Sequence, residues 1–311
     1  MNASKKLLFL FFSCTIFLSC KNDDDTAPVI PPRDKAEVAI EDHAKILEFL
    51  KTHKFEMAPN PLNPDYQLIV FSQVSSGSSE ALINSEFLEQ KTIIDDDVEY
   101  TLYYLKIREG APSQPKPTFA DYVVTTYRGQ LLDLTKFDES VNPFRFNLPG
   151  EDGSRGVITG LMEALFEFRG ASDYTVNPDN TIEFSDDFGI GAVFIPSGLA
   201  YFARNDIGSI PQYSSLIFTF QLYKTIQGDH DGDGVPSVYE DLNGDRFLIT
   251  DDTDKDGAPN FLDTDDDGDG IPTREEVIID DKNDDGYISE DEITFPDSDG
   301  DGTPDYLDPD S

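Results

Sequence analysis

DYVVTTYRGQLLDLTKFD, residues 121–138, is the stretch from which the fold can be read. Val123, Thr125 and Tyr127 alternate with Val124 and Thr126 in a β-branched and aromatic run that suits a half-buried strand, with a turn expected at Gly129. Upstream, VEYTLYYLKI at 98–107 is a second strong β run, and a proline-rich loop at 110–117 joins the two. Downstream come PFRF at 143–146, VITG at 157–160, IPSGLAY at 195–201 and LIFTF at 216–220. Residues 157–168 include Leu161, Met162, Ala164, Leu165 and Phe166, apolar nearly all round, as a helix buried under a sheet should be.

In that order these segments resemble the macrolide-binding, FKBP-type peptidylprolyl isomerases over residues 98–226. The resemblance implies an α+β fold, an antiparallel sheet wrapped around one short helix with the active pocket between them. It implies a catalytic set of Tyr127, Phe137, Asp138, Tyr201 and Phe218. Tyr201 would donate to a carbonyl of the bound proline segment, and Asp138 would be a polar wall group near Tyr127. Phe144, Val157, Ile158, Leu161 and Ile210 would complete the substrate pocket, with proline-containing polypeptides as clients. Such a pocket fits the chemistry of the X–Pro bond: rotation faces a barrier of about 18–20 kcal/mol and breaks no bond. At the twisted transition state charge separation falls, so a dry apolar cavity tolerates that state better than water does.

Three departures from the family pattern stand out. Leu161 replaces the tryptophan usual at the pocket floor, Phe202 replaces the glycine after the pocket tyrosine, and Ser209 replaces a rim isoleucine. Residues 170–189 read as an insertion with a turn at Asn177-Pro178-Asp179-Asn180.

The first 19 residues read as a targeting segment: Lys5 and Lys6, an apolar run at 7–12, then Phe17-Leu18-Ser19 before Cys20, too short for a comfortable span. That tripeptide resembles the processing box of bacterial lipoproteins, which implies a lipidated Cys20 as membrane anchor. Lys21-Asn22-Asp23-Asp24-Asp25 resembles the acidic export tag of some Bacteroidetes-type lipoproteins. It implies an outer-membrane protein facing the cell surface, or the periplasm as the alternative. With Cys14 in the discarded part, no intramolecular disulfide is expected. Residues 20–34, acidic and then proline-rich, suit an extended tether. Residues 35–97 form an extension before the isomerase-like domain at 98–227. A helix is expected over 36–55 from Val38, Ala44, Ile46, Leu47 and Leu50, and a strand over 67–74 after breaks at Pro59, Pro61 and Pro64. His43 and His53 are taken as surface residues without a role.

The chain has a net charge of −39, and residues 228–311 hold 30 acidic against 4 basic residues. Phosphate would be repelled, which argues against nucleic acid and for a divalent cation as partner. Five tail segments fit Asp-x-Asp/Asn-x-Asp-Gly with an acid at the twelfth place. They are Asp229, Asp231, Asp233 and Glu240; Asp252, Asp254, Asp256 and Asp263; Asp265, Asp267, Asp269 and Glu276; Asp281, Asn283, Asp285 and Glu292; and Asp297, Asp299, Asp301 and Asp308. A degenerate copy starts at Asp241, with Arg246 in the glycine place. Alternating side-chain oxygens on a glycine-turned loop suit calcium, whereas zinc would want nitrogen or sulfur. Pro236, Pro259, Pro272 and Pro304 remove an amide that paired EF-hand loops use. The tail instead resembles thrombospondin type 3 repeats, which implies chain wound around calcium with little regular structure, disordered without it. Only residues 281–292 look like an EF-hand loop, and His230 is taken as solvent-facing.

No nucleophile elbow, P-loop or histidine-bearing zinc motif is present. The reading is a lipid-anchored isomerase or folding helper that needs no cofactor for catalysis. Its alternatives are a proline-segment binder without turnover and a calcium-dependent surface structural or adhesion protein. Oligomeric state is left open.

Overall fold

The computed structural model describes residues 31–61, 63–150 and 156–311, with side chains other than those of residues 63–65. Cys20, the targeting segment and most of the tether lie outside the described residues. The chain divides into two units, Met1–Pro32 and Arg33–Ser311.

The elements are α1 (Lys35–Thr52), β1 (His53–Asn60), β2 (Asn63–Gln73), β3 (Leu88–Asp95), β4 (Val98–Arg108), β5 (Tyr122–Leu131), β6 (Lys136–Asn147), α2 (Thr159–Leu165), β7 (Tyr174–Val176), β8 (Ile182–Phe184), β9 (Gly189–Ile195) and β10 (Leu216–Ile226). Six strands form one antiparallel sheet in the order β3-β4-β9-β10-β5-β6, while β1-β2 and β7-β8 are separate hairpins. This mixed, antiparallel architecture is consistent with the FKBP-like fold expected.

Strand alternation sorts the core into two layers. Tyr100, Leu102 and Tyr104 of β4, Val193 and Ile195 of β9, and Leu216, Phe218, Phe220 and Leu222 of β10 pack against α2. Tyr103 and Leu105, Ala192 and Phe194, and Ile217 point the other way, onto α1 and the β1-β2 hairpin. α1 starts at Asp34, whose side chain accepts from the Glu37 amide at 2.9 Å, an N-cap that satisfies one orphan donor. Its buried stripe is Val38, Asp42, Ile46, Phe49 and Leu50.

Four expectations need correction here. Gly129 makes no turn; it lies inside β5 opposite Phe218 and Asp138, and the chain reverses at 132–135 with Leu134 at φ +69°. The boundary at residue 98 cuts a hairpin, because β3 pairs with β4 through Asp96 and Asp97, both at positive φ. The first helix ends at Thr52, and His53 starts β1 rather than lying on the surface. It is buried, with its ring 3.9 Å from that of Phe49. Pro59 is tolerated because β1 pairs on one side only. The insertion at 170–189 carries the β7-β8 hairpin, which turns at residues 177–180.

The tail adds α3 (Thr273–Glu276) and the two-residue strands β11 (Ile278–Ile279) and β12 (Ile293–Thr294), with single 3-10 turns elsewhere. Residues 281–292 are flanked by β11 and β12 and so are not a helix–loop–helix unit. The tail packs on the sheet domain. His230 stacks on Tyr122 at 4.7 Å and pairs with Ser237 and Asn147, so it is not solvent-facing. Leu248 and Phe261 pack on Ala120. Among the described residues no helix is long and apolar enough to cross a membrane.

Gly129 lets the aromatic layer close. A Cβ there would stand 2.5 Å from Phe137 Cε2 and 3.1 Å from Phe218 Cε1. Gly129→Ala should therefore destabilise the protein by about 1–3 kcal/mol through forced ring displacement. Urea unfolding checks this, and an unchanged midpoint would show that Phe137 yields freely.

Candidate functional site

A cavity of about 680 Å³ opens between α2, β5, β6 and the 196–210 loop. Of the expected residues, Tyr127, Phe137, Asp138, Val157, Ile158, Leu161, Tyr201, Ile210 and Phe218 line it. Phe144 does not. It is 51% exposed further out along β6 and meets Phe146 edge-on at 5.2 Å, while Phe146 lines the cavity instead. The register of β6 shifts opposite Thr125 and Tyr127, and that bulge decides which phenylalanine reaches Tyr127.

Tyr127, Phe137, Phe146 and Phe218 form one aromatic wall. Tyr127 lies 5.2 Å from Phe146 and 6.2 Å from Phe218, and Phe137 meets Phe218 edge-on at 5.6 Å. Such offset and edge contacts stabilise rings beyond their area alone. Leu161, buried at the start of α2, sits under the wall. The Tyr127 hydroxyl donates to Asp138 Oδ2 at 2.8 Å, and Asp138 Oδ1 accepts the Glu139 amide at 2.8 Å. Asp138 is thus an exposed rim group with both oxygens engaged, and it orients Tyr127. The Tyr201 hydroxyl has no hydrogen-bond partner among the described residues. Burial, and then the charge of Asp138, push its pKa up, so it is held as a donor.

Two features behind the wall were not legible. Asp42, in the apolar stripe of α1, accepts from both the Ser197 amide (2.8 Å) and the Ser197 hydroxyl (2.6 Å), fixing the turn that leads to Tyr201. Phe202 adopts φ +46°, the left-handed backbone a glycine would favour. The loop thus keeps the glycine conformation despite the substitution, and its ring packs edge-on against Tyr213 at 5.1 Å.

A second cluster of carboxylates lies in the tail. All six loops, the degenerate one included, place positive φ at the fourth and sixth positions: Gly232 and Gly234, Gly244 and Arg246, Lys255 and Gly257, Gly268 and Gly270, Asp284 and Gly286, Gly300 and Gly302. Each of the four prolines is the N-cap of a single helical turn that ends at the closing acid or one residue before it. The triplets Asp229-Asp231-Asp233, Asp252-Asp254-Asp256 and Asp265-Asp267-Asp269 each hold carboxylate oxygens within 4.8 Å of one another, as does Asp241-Asp245-Asp251 of the degenerate copy. Asp251 was not expected. Glu292 accepts from the Ser289 and Lys282 amides, one on each oxygen, and is held below the usual carboxylate range, first by its hydrogen bonds to Ser289. In contrast, Glu240 is fully buried and neither of its oxygens accepts a hydrogen bond.

Comparison with known proteins bears on the sheet domain. Over 131 residues the chain is 30% identical to the "FKBP-type 22 kDa peptidyl-prolyl cis-trans isomerase" of Escherichia coli, covering 42% of this chain and 53% of that one. The chain thus spans about half the length of the curated relative it matches, and it is homologous to FKBP-type peptidyl-prolyl isomerases. Similar solved structures include a peptidyl-prolyl cis-trans isomerase from Pseudomonas syringae pv. tomato (23% identity, 46% of this chain and 84% of that one, TM-score 0.32) and FkpA from Escherichia coli (26% identity, 44% and 53%, TM-score 0.32). The family described as BamM C-terminal matches residues 230–281, in the acidic tail, and is unrelated to this homology.

The tail carboxylates set a pH dependence. Burial, followed by neighbouring carboxylates, raises Asp266 to about 9 and Glu276 to about 7, and Asp231 and Asp233 rise as well. An acid raised above its unfolded value near 4 binds more protons when folded. Its stabilisation is complete at low pH and is lost as pH rises through the folded value. In chelator, the chain should therefore melt at a higher temperature at pH 5 than at pH 8. A flat or rising profile across that window would contradict the burial of these groups.

Proposed function

We propose that this protein is a peptidyl-prolyl cis–trans isomerase and folding helper acting on X–Pro segments of other polypeptides. The observation that carries it is the aromatic wall of Tyr127, Phe137, Phe146 and Phe218 facing an unpartnered Tyr201 hydroxyl across one cavity. The prolyl ring sits against Leu161 and the wall, out of water. Tyr201 donates to the carbonyl of the bound segment, and Asp138 acts through Tyr127 by fixing its hydroxyl. Nothing is transferred in the reaction. The pocket lowers the rotation barrier by favouring the twisted, less dipolar amide over the planar one. The smaller Leu161 floor favours a second reading, a pocket that holds proline segments without turning them over.

The proposal extends to both ends of the chain. Cys20 carries lipid and anchors the protein at an outer membrane, facing the cell surface. The tail is a thrombospondin type 3-like module in which calcium, a hard cation taking six to eight oxygens, supplies the counter-charge for the loop carboxylates. The buried, unbonded oxygens of Asp231, Asp233, Glu240 and Glu276 fit such an ion, because an isolated buried carboxylate is otherwise strongly disfavoured.

In a protease-free assay on the chain from residue 21, Tyr201→Phe and Asp138→Ala should each lower kcat/KM by about 3- to 10-fold, the effect of losing one hydrogen bond of about 0.5–1.5 kcal/mol. Equal rates for wild type and both variants would remove the catalytic assignment, and binding of a proline peptide without turnover would leave the second reading. For the tail, millimolar calcium should protect residues 228–311 from proteolysis; no gain in protection sinks the metal assignment.

A further inference from the structure

Asp266 occupies the second place of the loop that begins at Asp265, the third of the five regular loops, where the repeat pattern assigns no ligand. The corresponding residues of the other loops are His230, Leu242, Thr253, Lys282 and Ser298, none of them acidic. Its amide is used as the neighbouring loops use theirs, donating to the ninth residue, Thr273, at 3.1 Å; the His230 and Thr253 amides likewise reach Ser237 and Asn260. Its carboxylate leaves its own loop. It meets Asp233 and Glu240 of the first loop, one oxygen from each lying within 4.8 Å of the others. All three side chains are buried, at 2%, 0% and 1% exposure for Asp233, Glu240 and Asp266. Both oxygens of Glu240, both of Asp266 and Oδ2 of Asp233 accept no hydrogen bond.

Three buried carboxylates that converge without donors must either take up protons or be joined by a positive ion, and at neutral pH an ion removes the need for the first. The Asp233 Oδ1 atom already accepts the Val235 amide at 2.7 Å, which leaves Oδ2 as its unbonded oxygen. An all-oxygen, all-carboxylate donor set selects a hard divalent cation. We infer that Asp266, from the third repeat, is a ligand of the divalent-cation site of the first repeat, so that one ion staples two loops that are not adjacent in sequence. This inference rests on the calcium reading of the tail and adds to it a ligand and a connection the repeat spacing does not contain. The first loop then cannot complete its site until the third loop has folded beside it, and the repeats order together rather than one at a time.

The test uses the chain from residue 21, which holds the whole compact unit, with calcium alone as probe. Bound calcium is measured by equilibrium dialysis, and melting is followed in calcium and in chelator. Asp266→Asn should lose one bound ion per chain or weaken one site at least tenfold. It should melt below wild type in calcium yet above wild type in chelator at pH 8, where folding no longer forces a buried carboxylate either to take up a proton or to stay charged. That change of sign separates a ligand from a packing residue, and the chelator melt shows that the variant folds. Glu240→Gln, made from the opposite side of the contact, should give the same loss, and the double variant should lose no more than either alone. Asp269→Asn, which alters a ligand within the third loop, should instead add to Asp266→Asn. Wild-type calcium binding by Asp266→Asn, or lower melting in both buffers, overturns the inference while leaving the calcium reading intact. A wild-type chain that binds no calcium overturns both.

Discussion

Burial of the central strands on both faces is the constraint from which the rest follows. β10 sends Leu216, Phe218, Phe220 and Leu222 toward α2 and Ile217 and Tyr223 toward the other layer. A strand of that kind cannot leave either side to water without losing much of the apolar burial that holds the domain together. α1 and the β1-β2 hairpin are therefore a required second layer rather than an appendage. The same packing reaches the pocket. Asp42 lies in the buried stripe of α1, where a carboxylate needs donors, and Ser197 provides two of them. The turn carrying Tyr201 is thus fastened to the N-terminal helix by the solution to a burial problem.

The end of β10 sets how the tail meets the domain. Asp121 is buried just before β5 and accepts from the Thr118 amide at 2.7 Å and from Gly228, the first tail residue, at 3.0 Å. Next to it, the Gln227 side-chain amide exchanges two 2.8 Å hydrogen bonds with the backbone of Ile288, the residue through which an EF-hand loop would pair with its twin. Asp121 and Glu240 show two answers to one physical problem. Both are buried carboxylates pushed up by desolvation, but the first is supplied with backbone donors and the second with none. A domain that satisfies its acids with amides and a tail that leaves its acids facing one another have different requirements of the solvent.

Strand alternation made most of the sheet legible, because the period-two pattern in residues 98–107 and 121–128 reports a surface packed on at least one face. The aromatic wall was legible in composition but not in register. Phe144 and Phe146 have equal claims in sequence, and only the bulge in β6 separates them. β3 was missed because its outer residues are polar and its turn, Asp96-Asp97, lies within an acidic run that reads as loop. His53 and His230 carry no pattern of their own; each packs against aromatic rings, from a turn earlier in the helix for His53 and from segments distant in sequence for His230. Repeat spacing gave the acids within each loop but had no means of giving Asp266, whose partners are more than twenty residues away.

Two departures from glycine show what the patterns themselves encode. Phe202 and Arg246 stand where glycine is expected, and both keep the left-handed backbone, at φ +46° and +62°. Holding a side chain there costs on the order of 1–2 kcal/mol, so each residue has to gain contacts that glycine lacks. Phe202 packs on Tyr213 beneath the Lys35 ammonium, at the start of α1. Arg246 reaches Glu163 of α2 at 3.1 Å, beside the Lys91 pair of that same carboxylate. Both exchanges tie a loop to a helix, and both helices bear on the pocket: α1 through Asp42 and Ser197, α2 through Leu161. The glycine signature therefore reports a backbone requirement. Where a larger residue meets that requirement, its side chain shows which parts of the molecule the loop is fastened to.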